Sequence, residues 1–134
     1  MRSEQGFTLV MAIFILVVAS LLGAYMARLQ GVQQMTAAYA LQASRAYLFA
    51  KVGLDWATAR LNQGGSCTDV NAQTALTFPD MLGFSVRLTC SSQTFNEGSK
   101  TPVIYHLHAL SQFGGYDDPN YAARQLEVSV VLGG

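Results

Sequence analysis

Between Phe7 and Ala27 the chain carries 21 consecutive residues without a charge, FTLVMAIFILVVASLLGAYMA, and Arg28 follows directly. A helix rises about 1.5 Å per residue, so the run covers about 30 Å, the hydrocarbon thickness of a bilayer. A cleaved secretory signal has a shorter apolar region and then a small-x-small site, and YMARLQ offers none. A core helix of a globular domain keeps a polar face over such a length, and this run has none. The composition therefore predicts a membrane span over residues 7–27, preceded by the short polar stretch MRSEQG. Arg2 and Arg28 lie on opposite sides of it, so basic residues alone do not orient it.

Helical character is predicted to continue past the span. Residues 28–62 lack proline and are rich in Ala, Leu, Gln and Arg, all good helix formers. Val32, Met35, Tyr39, Ala43, Ala46, Ala50, Gly53, Ala57 and Leu61 recur at helical spacing, with Gln34, Gln42, Arg45, Asp55, Thr58 and Arg60 on the opposite face. NQGGSC then supplies a stop, Gly64 and Gly65 being free to take the left-handed geometry of a helix end. A continuous helix over residues 7–62 would run roughly 84 Å.

The remainder, residues 63–134, predicts a connecting loop over 63–83 and then a small antiparallel sheet. In GFSVRLTCSS, Phe84, Val86, Leu88 and Cys90 alternate with polar residues, the pattern of a half-buried strand. VIYHLHAL reads as a second strand and ARQLEVSVVL as a third, with Leu126, Val128, Val130 and Leu132 on one face. TFNEGSKTP and FGGYDDPNY are the turns between them. The predicted fold is α+β: a long amino-terminal membrane-spanning helix continues into an amphipathic half-helix that packs on a three-stranded sheet.

Cys67 lies just past the helix and Cys90 on the inward face of the first strand. A bridge between them closes a loop of about 24 residues, worth about 3 kcal/mol by chain entropy. It also favours an oxidising compartment, with the amino terminus cytoplasmic and the sheet outside. Two unpaired buried thiols are the alternative.

Few residues suggest chemistry. With 8 basic and 8 acidic side chains there is no electrostatic footprint for nucleic acid. His106 and His108 share a strand face in the spacing of a metal pair, but no third ligand follows from the spacing, and solvent-facing strand residues are expected. Asp117 and Asp118 in GGYDDPNY suit a turn without any ion. Trp56 and Tyr47 read as core or contact residues of the half-helix rather than a ligand site. No nucleophile-and-base arrangement and no phosphate loop is visible. The expectation is a non-catalytic chain without metal or cofactor.

A short polar leader ending in Gly6, then Phe7, an apolar helix and an extracytoplasmic sheet together resemble the type IV pilin class. The resemblance implies that a prepilin peptidase cleaves between Gly6 and Phe7, removing residues 1–6, and that the new Phe7 amine is N-methylated. It also implies partners: the peptidase and methyltransferase, the inner membrane before assembly, and major and minor pilins packed through the amino-terminal helix afterwards. QASRAYLFAKVGLDWATARLNQG is similar to the helix of PilX-like minor pilins, and the chain most resembles a minor pilin of the mannose-sensitive haemagglutinin pilus. That likeness implies a structural subunit assisting pilus initiation, first in the inner membrane and then in an extracellular pilus.

The chain departs from the pattern at Met11, where the family usually has Glu at the fifth residue from the cleaved Phe. That carboxylate is thought to offset the amine of a neighbouring subunit. A lone carboxylate in mid-span costs about 2.5–3.5 kcal/mol, so it persists only with a partner. A subunit at the filament tip has no neighbour ahead, so Met11 predicts a tip or initiating position. Two alternatives remain: a minor pseudopilin of a type II secretion system, and a monomeric signal-anchored envelope protein that binds a ligand through its sheet.

Overall fold

The computed structural model describes residues 5–133, with side chains from Phe7 onward. The expected leader, residues 1–6, lies outside the described residues except for the backbone at 5 and 6, which is helical. The chain forms α1 (Gln5–Asn62), α2 (Cys67–Asn71), a 3-10 turn (Pro79–Met81), β1 (Phe84–Thr94), β2 (Val103–Phe113) and β3 (Ala122–Leu132). It divides into two compact units, Met1–Ala38 and Tyr39–Gly134.

The first unit is the amino-terminal part of α1. Its large apolar side chains, from Phe7 and Leu9 through Leu22 to Met26, are all exposed. The stretch is long and apolar enough to cross a membrane, and none of its most apolar window is buried. Two of its hydroxyls turn inward onto the helix: Ser20 Oγ donates to the Leu16 carbonyl at 2.6 Å, and Thr36 Oγ1 to that of Val32 at 2.9 Å. Such back-bonding satisfies a polar side chain where the surroundings cannot.

In the second unit the rest of α1 packs on an antiparallel meander of order β1-β2-β3. Opposite residues run from Phe84↔Phe113 to Thr94↔Val103 and from Val103↔Leu132 to Phe113↔Ala122. The alternation in β1 sends Phe84, Val86, Leu88 and Cys90 inward, where all four are buried beside Leu107 and Ala109 of β2. From the helix come Ala46, Ala50, Leu54, Ala57 and Leu61, with Gly53 buried among them. Small side chains here let the helix backbone approach the sheet: a Cβ on Gly53 would lie 2.6 Å from Val86 Cγ1. Rings fill the wider space, Phe49 to Phe84 at 5.0 Å and Phe84 to Phe113 at 5.1 Å between centroids.

The covered face of α1 is shorter than its apolar stripe. Val32, Met35 and Tyr39 are exposed. Helical spacing marks an apolar face without saying which part of it finds a partner. Gln42, expected on the polar face, is half-buried, and its Oε1 has no partner among the described residues. It stands four residues before Ala46 and so falls on the same side of the helix.

The helix end follows expectation at one glycine and differs at the other. Gly64 has φ +85° and donates to the Leu61 carbonyl, while Gly65 donates to that of Arg60, the paired bonds of a Schellman stop. Gly65 is not left-handed, but a Cβ there would lie 2.6 Å from the Arg60 carbonyl oxygen.

The segment 63–83, expected as a plain loop, holds α2 and the 3-10 turn. Both are too short for periodicity to reveal. They carry Val70 and Met81 into the core. The segment also covers the outer edge of β1: Leu76 and Val86 exchange backbone hydrogen bonds of 2.8 and 3.0 Å. Cys67 and Cys90 are joined as a disulfide with Cα atoms 5.1 Å apart, tying the start of α2 to β1.

Candidate functional site

At the amino-terminal end of α1, Phe7 is 76% exposed and Met11 is 52% exposed. Both lie in the uncharged run, and no acidic residue occupies the first turn of α1. Gly6 is described only as helical backbone. What this region offers is apolar surface: Phe7, Phe14 and Ile15 lie three or four residues from Met11 on its side of the helix, and Leu9, Val10, Ile13, Leu16 and Val17 are exposed around the rest of it. Such a surface has chemistry for lipid or for other apolar helices.

On the sheet, His106 and His108 both stand on the face turned away from the core. Their Nδ1 atoms are engaged with β3, His106 with Ser129 Oγ at 2.9 Å and His108 with Glu127 Oε1 at 3.2 Å. Gln125 Nε2 lies 3.4 Å from both His108 Nδ1 and Glu127 Oε1. Spacing along β2 gives no hint of Glu127, which register alone places opposite His108. No group of three or more potential metal-ligating side chains gathers among the described residues. Asp118 serves the turn before β3: its Oδ1 accepts from the Asn120 N–H at 2.8 Å and its carbonyl accepts from the Tyr121 N–H.

A third region escaped the sequence reading. Trp56 packs against the core and also lines an open cleft of about 390 Å³ with Arg60, Gln63, Asp69 and Gln73. Asp69 Oδ2 accepts from the Ser66 N–H at 2.8 Å and from Ser66 Oγ at 3.1 Å. The backbone bond first, then the hydroxyl, hold its carboxyl below the ordinary 3.8; slight desolvation opposes this and the Arg60 charge adds to it. Trp56, Arg60 and Gln63 share a helix face at four- and three-residue steps, which spacing already contained. Asp69 and Gln73 join them only because the chain reverses at Gly64.

No family model, curated protein or solved structure matches the chain, so its assignment rests on its own residues and fold.

Proposed function

We propose that this chain is a minor pilin of a type IV pilus of the mannose-sensitive haemagglutinin type, a structural subunit that assists filament initiation. One observation carries the reading. The residues of α1 from Phe7 to Ala27 are uncharged and expose their large apolar side chains, and later residues of the same helix enter the core of a small disulfide-linked sheet unit. That arrangement suits a subunit held in a bilayer by its helix and later packed through it against sister helices. In this reading Gly6–Phe7 is the peptidase junction, the sheet unit is periplasmic, and the chain ends in an extracellular pilus. The exposed apolar ring around Met11 supplies no carboxylate to a neighbour's amine, which suits a tip subunit.

The decisive measurement is the mass of the amino-terminal peptide of the protein isolated from producing cells. Loss of residues 1–6 with a methylated Phe7 is expected. An intact amino terminus overturns the reading in favour of a signal-anchored envelope protein. A minor pseudopilin of a type II secretion system shares the processing; it is separated by whether loss of the protein abolishes pili or the export of folded substrates.

A further inference from the structure

The cleft beside Trp56 has a lining that the filament reading does not use. It is formed by the last turns of α1 and the segment around α2, all within the second unit. Its lining includes Trp56, which is partly buried and packs against the core. Around it stand two carboxamides, Gln63 and Gln73, one guanidinium, Arg60, and one carboxylate, Asp69. Neither carboxamide nor the guanidinium makes a hydrogen bond within the described residues, so their donors and acceptors are not consumed internally. Both bonds from Ser66 fall on Asp69 Oδ2, so Oδ1 keeps its lone pairs for another donor.

Each feature selects against other ligand classes. One positive and one negative group give no net charge to attract an anion, and the ionised Asp69 repels phosphate. A purely apolar ligand would strand four polar side chains. A pyranose has a face of C–H groups that lies on an indole and a rim of hydroxyls that donate and accept together. Planar amide, guanidinium and carboxylate groups each meet two neighbouring hydroxyls at once. About 390 Å³ falls in the ordinary range for a small-molecule site.

We propose that this cleft is a saccharide-binding site that takes one uncharged pyranose unit, its ring stacked on Trp56 and its hydroxyls held by Arg60, Gln63, Asp69 and Gln73. The site does not depend on the pilin assignment and stands or falls separately.

Trp56 is the chain's only tryptophan, so tryptophan fluorescence comes from this one lining residue. The full-length protein, in lauryldimethylamine oxide rather than a sugar-based detergent, is titrated with glucose, galactose, mannose, N-acetylglucosamine and, separately, inorganic phosphate. A saturable change with at least one pyranose and none with phosphate is expected. Half-saturation rises at least about tenfold in Gln63→Ala and Gln73→Ala. Both side chains are exposed, so these variants leave the core untouched, and cooperative urea unfolding checks that they fold. Absence of a saturable response to every pyranose overturns the proposal. So does saturation by phosphate, or a pyranose response unaltered in both variants.

Discussion

The side-chain amide of Asn71 holds the backbone of Cys90 at two points: its Oδ1 accepts from the Cys90 N–H at 2.8 Å, and its Nδ2 donates to the Cys90 carbonyl at 3.0 Å. The amide imitates a strand neighbour. Together with the Leu76↔Val86 bridge it covers the edge of β1 that β2 leaves open. It does so at the residue whose sulfur is bonded to Cys67, so α2 grips β1 through both a covalent and a polar link. An uncovered edge strand invites pairing with other chains, which gives the clamp a second use.

Asn71→Ala removes both bonds and returns the Cys90 peptide to partial solvation. We expect a loss of about 1–2 kcal/mol in urea unfolding of the oxidised protein. Asn71→Asp keeps the acceptor and loses the donor, so it should fall between the two. A loss no greater than a few tenths of a kcal/mol in Asn71→Ala would show that water replaces the amide freely.

Gly53→Ala sets two effects against each other. Alanine is favoured over glycine in a helix by about 1 kcal/mol. Its Cβ, however, would lie 2.6 Å from Val86 Cγ1 and 3.3 Å from Leu88 Cδ2, and Val86 is fully buried with a stiff side chain. Overpacking of this kind costs about 1–3 kcal/mol, so net destabilisation is expected. Combining it with Val86→Ala should show a favourable coupling in a double-mutant cycle, because the truncated neighbour makes room.

Ser111 is fully buried in β2, and its Oγ has no hydrogen-bond partner among the described residues. Ser111→Ala removes an unsatisfied hydroxyl while keeping the Cβ that packs in the core. Thermal unfolding should show stabilisation by about 1 kcal/mol. Destabilisation instead would reveal a water or side chain that the hydroxyl serves.

Asp69 links stability to acid. Its folded carboxyl titrates below 3.8, so its contribution is fully present above that value and is lost as pH falls through the folded midpoint. Carboxyl-detected NMR should place the midpoint below 3.8. Ser66→Ala should raise it only part of the way, because the Ser66 backbone N–H is the larger cause and survives the change. Asp69→Asn should flatten this part of the acid limb.

Met11 makes the filament reading testable by position. Immunogold labelling should find the unaltered protein at pilus tips, and Met11→Glu should spread the label along the shaft. A label already distributed along the shaft sinks the tip assignment.

The apolar run, the helix that follows it, the stop at Gly64 and the alternation of β1 could all be read along the chain. Each depends on neighbours within a few residues: the rise of a helix, the pleat of a strand, the left-handed freedom of glycine. The Cys67–Cys90 pair could be anticipated because the chain has only two cysteines, although unpaired thiols stayed open until the fold brought them together. Tertiary structure decided the rest. Only strand register sets Glu127 beside His108, and only reversal of the chain after α1 sets Asp69 and Gln73 beside Trp56. The Asn71 clamp joins residues 19 apart through a side chain that carries no periodic signal. Likewise, the stripe on α1 was apolar from Val32 onward, but what covers an apolar face is a property of the folded neighbour. Local physics wrote the elements into the sequence. Contacts between distant residues needed the packed chain.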